Sequence, residues 1–203
     1  IKTNKAYDLK SDVQFIDGVF VPDGEFGPVK IASSGLTFDC PDTSGIFTHE
    51  ISIYKGPIRK QHTTIPPLII NGQEVVNDPI LMLHSNVGIT FDLQAIREAY
   101  PQLKIKGLKA TGAPLTESTF PELKFWVLLD GQIEYEREIF DQDSDRGPIS
   151  FNVEFSPQNR FLTLIVTDVL QLIEKKDGNI PAHASDFFYL IDPELSVTDY
   201  WGI

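Results

Sequence analysis

Apolar and polar residues alternate most regularly along 149–155, where Ser150, Asn152 and Glu154 separate Ile149, Phe151, Val153 and Phe155. A period of two puts the apolar set on one face of an extended chain, so this segment predicts a strand with one face buried. Upstream, Leu123-Lys124-Phe125-Trp126-Val127-Leu128-Leu129 runs into Asp130-Gly131, and Ile133 and Tyr135 then resume the alternation. Asp-Gly tolerates the positive φ angles of a two-residue turn, which predicts a hairpin. Residues 161–167 and 187–191 are apolar at both parities, the pattern of central strands covered on both faces. Further strands are expected at 13–16 and 19–21 around Asp17-Gly18, and at 36–38, 47–54, 89–93 and 105–109, about ten short strands in all.

One stretch has helical spacing. Leu93, Ile96 and Tyr100 share a helical face, and Pro101 limits the segment to about two turns. Residues 169–176 read as a short helix or as a loop insertion. Many short strands without alternating long helices predict an all-β, jelly-roll-like antiparallel β-sandwich with one short helix. Ile149, Phe151, Val153, Phe155, Phe161, Ile165 and Val127 are expected in one shared core. Turn-forming pairs cluster between Gly56 and Pro79, which organises the chain as one domain over 1–203. It has leader strands at 1–57, a connection at 58–79 and a main body at 80–195; a small N-terminal β subdomain ending near Pro57 is the alternative.

Composition narrows the function. The apolar fraction of 41%, with 14 Phe and 6 Tyr, is that of an ordered globular interior. Asp and Glu outnumber Lys and Arg by 29 to 17, and a net charge of −12 repels nucleic acid and anionic membrane surfaces. No apolar run is long enough for a membrane-spanning helix. The single Cys40 forms no internal disulfide and says nothing about compartment. Ile1-Lys2-Thr3-Asn4 at the start suggests a processed or excised piece of a longer protein.

Catalytic constellations do not stand out. Ser33-Ser34-Gly35 lacks the context of a nucleophile elbow, His49, His62, His84 and His183 lack helical zinc spacing, and no glycine-rich phosphate loop opens a helix. Scattered carboxylates leave a glycosidase pair open, because the separation that matters is spatial. Asp141, Asp143 and Asp145 alternate in one loop, where their oxygens are candidates to converge on calcium; an acidic solvated connection is the other reading. Trp126 shares a face with Lys124 and Leu128, opposite Phe125, Val127 and Leu129. It is either an exposed platform for the C–H face of a sugar or part of a second buried face.

Three stretches, in order, resemble the NPCBM family of carbohydrate-binding modules. They are Leu83-His84-Ser85-Asn86-Val87-Gly88-Ile89-Thr90-Phe91-Asp92-Leu93, Phe125-Trp-Val-Leu-Leu-Asp130-Gly131, and Phe161 to Asp168 followed by His183-Ala-Ser-Asp186-Phe187. The resemblance spans roughly residues 79 to 195 and implies a galactose-binding-like jelly roll. It departs from the family where Phe187 replaces Trp with Ser185 inserted, and where 169–176 lacks the usual glycines and acids. Residues 17–24 and 38–45 also resemble the leader that precedes such modules in large secreted planctomycete-type proteins.

The resemblance implies a non-catalytic module of a larger protein, extracellular or periplasmic, that binds a neutral glycan at a loop edge. The alternative is an interaction or structural module that docks neighbouring domains of the parent protein. Expected ligand contacts are His84, Asn86, Trp126, His183, Asp186 and Phe187, with calcium at Asp141, Asp143 and Asp145 as the one metal expectation. For His84, Asp92 and Asp186 a purely structural hydrogen-bonding role is the competing reading. If the glycan contacts are right, Asn86→Ala and His183→Ala weaken binding and leave stability nearly unchanged.

Overall fold

The alternating segments are strands in a computed structural model, which describes residues 14–22, 24–43, 51–55, 69–70, 73–74, 79–114, 123–139, 148–168 and 187–199. In chain order the elements are β1 (Ile16–Phe20), β2 (Gly27–Lys30), β3 (Thr37–Cys40), β4 (Ile51–Lys55), β5 (Ile69–Ile70), β6 (Gln73–Glu74), β7 (Pro79–His84) and β8 (Val87–Asp92). There follow α1 (Leu93–Ala99), β9 (Leu103–Pro114), β10 (Leu123–Leu129), β11 (Gln132–Ile139), β12 (Ile149–Glu154), β13 (Phe161–Asp168) and β14 (Phe187–Asp199). Two five-stranded antiparallel sheets, ordered β1-β8-β13-β10-β11 and β12-β9-β14-β7-β4, form the sandwich. The short hairpins β2-β3 and β5-β6 form separate two-stranded sheets. The fold is thus the all-β antiparallel sandwich that the pattern predicted, with one short helix among the described residues.

Local chemistry explains the junctions. Asp130 and Gly131 both have positive φ, 50° and 82°, as a two-residue turn between β10 and β11 requires. The Asp130 carboxylate also accepts from the backbone N–H groups of Arg160 and Phe161, which ties this turn to the start of β13. Asp92 caps α1: its Oδ1 accepts from the N–H groups of Gln94 at 2.8 Å and Ala95 at 3.0 Å, satisfying donors that lack helical partners. Pro101 cannot continue the helix, and α1 ends at Ala99.

The inner faces of the sheets share one apolar core. Phe125, Val127, Leu162, Leu164 and Val166 of one sheet meet Leu83, Leu108, Phe151, Val153 and Phe188 of the other. The Phe125 and Phe188 rings stack across the gap with centroids 4.5 Å apart. A second, smaller core lies on the outer face of the first sheet, where Phe20, Val29, Ile31, Phe38 and Cys40 cover Trp126, Leu128 and Ile165. The N-terminal segment is pinned there by Thr90 Oγ1 donating to Ile31 O, and by Ser33, whose N–H and Oγ both donate to the Asp17 carboxylate. Gly88 of β8 has no side chain because the Phe20 ring occupies that space.

Several expectations are corrected. Ile165 belongs to the outer core, since β13 pairs Ile165 with Trp126 and only Leu162, Leu164 and Val166 face inward. Ile149 is half-buried at the start of edge strand β12. Asp17-Gly18 does not separate two strands: it forms an irregularity within β1, which pairs with β8 on both sides of it. Residues 79–84, where no strand was expected, form the interior strand β7, with Ile80, Leu81, Met82 and Leu83 all buried. Strand β14 runs on past 191 to Asp199 by absorbing two register shifts, with Asp192 at φ 49°. Residues 169–176 lie outside the described residues.

Candidate functional site

At the end of the sandwich away from α1, the β7–β8 turn, the last residue of β13 and the first residue of β14 converge. The turn is Ser85-Asn86, and Asn86 adopts φ 60°, a left-handed conformation that asparagine tolerates better than most residues. Its side chain is fully buried and locked to Asp168 in both directions. Asn86 Nδ2 donates to Asp168 Oδ2 at 3.0 Å, and Asp168 N–H donates to Asn86 Oδ1 at 3.2 Å. One amide thereby ties together two strands that are 82 residues apart in sequence.

His84 ends β7 directly opposite Phe187 of β14, and the two rings meet edge to face with centroids 4.7 Å apart. His84 is 2% exposed, and its Nδ1 lies 3.1 Å from Ser85 O. Phe187 is half-buried. His84 and Asn86 therefore stand beneath the surface as framework. In particular, the Asn86 amide is buried and committed to Asp168, so its removal is expected to cost stability.

Asp168 also lines a niche of about 100 Å³ on the outer side of the same end, together with Pro41, Asp42, Lys124, Trp126, Glu138 and Thr167. The alternation had put Lys124, Trp126 and Leu128 on one face, and β10 does so. Between the two readings left open for Trp126, the outer hairpin decides. Phe38 packs edge-on against the indole at 5.3 Å, and Trp126 is 7% exposed, so it is part of a second buried face rather than an open platform. Its Nε1 donates to Thr167 Oγ1 at 3.1 Å, which supplies the partner a buried indole N–H needs.

The electrostatics of the niche are acidic. Lys124 Nζ lies 4.0 Å from the centre of the Trp126 ring and donates to Glu138 at 2.9 Å and Glu136 at 3.0 Å. Burial alone pulls the Lys124 pKa down, but the hydrogen bonds and charges of Glu138 and Glu136 outweigh it, and the net shift is upward from 10.5. The ammonium is thus already neutralised by two carboxylates. Asp42, also in the lining, accepts from the N–H of Phe26 at 2.7 Å.

Of the six expected ligand residues, His84, Asn86 and Phe187 fall together and Trp126 lies next to them, with Asp168 as the link. His183 and Asp186 lie outside the described residues, as do Asp141, Asp143 and Asp145. Among the described residues no group of three or more His, Cys, Asp or Glu is arranged to hold a metal ion. Asp42, Lys124, Glu138 and Asp168, none of them among the six expected contacts, line the one niche with Trp126. The visible signals were the shared parity of Lys124 and Trp126 and the place of Asp168 at the end of the third motif stretch.

No protein-family model and no curated protein matches the chain, so the NPCBM resemblance rests on the quoted motifs. Among solved structures, the chain is similar to the CBM51 of Clostridium perfringens GH95 in complex with methyl-galactose, with a TM-score of 0.49 and 18% identity over 72% of this chain and 92% of the other. It is similar to the tandem CBM51 modules of Sp3GH98, the family 98 glycoside hydrolase of Streptococcus pneumoniae SP3-BS71, with a TM-score of 0.44 and 14% identity over 70% of this chain and 39% of the other. A third likeness is to the CBM51-2, in complex with GlcNAc, and INT domains of Clostridium perfringens ZmpB, with a TM-score of 0.48 and 13% identity over 89% of this chain and 39% of that one.

Proposed function

We propose that this chain is a non-catalytic carbohydrate-binding module of a larger extracytoplasmic protein, and that it takes a neutral glycan at the loop edge around Asp168. The observation that carries this reading is the niche itself. It brings Asp42, Glu138, Asp168, Thr167 and Lys124 together beside Trp126. Carboxylates accept hydrogen bonds from the vicinal hydroxyls of a pyranose. The excess of acids disfavours anionic sugars. The order of the three motif stretches supports the same reading, since His84, Asn86, Asp168 and Phe187 all come from them.

His84 and Asn86 frame the edge, while His183 and Asp186, just before Phe187 in sequence, are proposed as polar contacts to the sugar. Galactosides and GlcNAc are the first probes. A glycan array with the isolated chain should retain neutral glycans, and retention of none would refute the reading. Turnover on a polysaccharide panel that a single Asp, Glu or His substitution abolishes would refute the non-catalytic assignment.

A further inference from the structure

The niche holds about 100 Å³, less than the ~150 Å³ apolar cavity known to take up benzene. A pyranose, bulkier than benzene, therefore inserts one edge, and the rest of its ring rests on the rim. Stacking there calls for an exposed apolar ring beside Asp42, Glu138 or Asp168. Among the described residues the large exposed hydrophobic side chains are Phe26, Tyr100, Ile133 and Val197. Tyr100 follows α1 at the far end of the sandwich, and Val197 lies in the other sheet opposite Ile105. Ile133 is five residues along β11 from Glu138, roughly 17 Å at strand rise.

Phe26 is the one whose backbone is joined to a niche carboxylate. It is 70% exposed, more than any of the other three. Its backbone is fastened to the rim by Phe26 N–H donating to Asp42 Oδ1 at 2.7 Å, and the neighbouring turn by Thr43 N–H donating to Gly24 O at 3.1 Å. These bonds hold the Phe26 backbone beside the niche before any ligand arrives, which lowers the ordering cost of a contact. We infer that Phe26 is the sugar-stacking residue of this site, and that the site takes a neutral pyranose with its C–H face on the Phe26 ring and one hydroxylated edge among Asp42, Glu138 and Asp168.

This inference rests on the carbohydrate-binding reading above, and one experiment separates the two. The full chain and its variants are applied to arrayed galactose-, glucose-, mannose- and GlcNAc-terminated oligosaccharides and to uronate-terminated counterparts, and the strongest neutral hit is titrated by calorimetry. Phe26→Ala and Phe26→Leu should each weaken that hit by about tenfold or more with melting temperature unchanged, since both lose the flat ring. Phe26→Trp should retain or strengthen it, and uronate-terminated glycans should bind more weakly than neutral ones. A wild-type chain that binds no arrayed glycan overturns the carbohydrate reading and this inference with it. A wild-type chain that binds, with Phe26→Leu within twofold of it, overturns the role of Phe26 alone.

Discussion

Asn86→Ala is expected to destabilise the protein through a local network whose members are all visible. The substitution removes the Nδ2 donor to the buried Asp168 side chain at 3.0 Å, a hydrogen bond worth about 1–3 kcal/mol. It also removes the acceptor for the Asp168 N–H at 3.2 Å, about 1 kcal/mol more. Alanine at φ 60° adds a left-handed penalty of about 1 kcal/mol. These contributions share partners and do not add fully, so the expected loss is about 3 kcal/mol, or roughly 6–12 °C in melting temperature for a chain of this size. Urea denaturation followed by far-UV circular dichroism measures it. Asn86→Gly, which restores the conformational freedom but not the bonds, should lie about 1 kcal/mol above Asn86→Ala. Asn86→Asp, which turns a carboxylate towards Asp168, should be the least stable of the three. If Asn86→Ala falls within 0.5 kcal/mol of wild type, the amide is not the fastener described here and its role at the glycan edge must be reconsidered.

Other outcomes follow from the same geometry. Trp126→Ala should cost about 3–5 kcal/mol in the same denaturation assay, because the buried indole packs on Phe38 and donates to Thr167; near-neutral behaviour would mean the outer hairpin does not close over it in solution. The upward-shifted pKa of Lys124 means its ion pairs contribute stability below the ordinary value of 10.5 and lose that contribution as pH rises through the higher folded value. The stability difference between wild type and Lys124→Met, followed against pH by denaturation, should therefore shift against wild type above 10.5, and a difference that stays constant there would contradict the assignment. Calcium bound at Asp141, Asp143 and Asp145 should raise the melting temperature at millimolar concentration, with Asp143→Asn removing the effect; unchanged melting with calcium and with chelator excludes the site.

The sequence alone determined the class of fold, because a period of two and the turn chemistry of Asp130-Gly131 are local properties of neighbouring residues. It likewise placed the helix, from the spacing of Leu93, Ile96 and Tyr100 and the stop at Pro101, while the Asp92 cap emerged only in the structure. It put Lys124, Trp126 and Leu128 on one face, but not what covers that face. That depended on the β2–β3 hairpin, more than 80 residues upstream of Trp126, settling on the outer side of the sheet and burying the indole under Phe38. For the same reason Ile165 could not be assigned to the correct core: β13 is apolar at both parities, and only its pairing with β10 decides which residues face which layer. The niche shows this most fully, since Asp42, Glu138 and Asp168 come from three distant parts of the chain and meet only through sheet register and hairpin docking. Periodicity reports which way a side chain points along its own strand; long-range pairing sets what it meets, and that information resides in the tertiary fold.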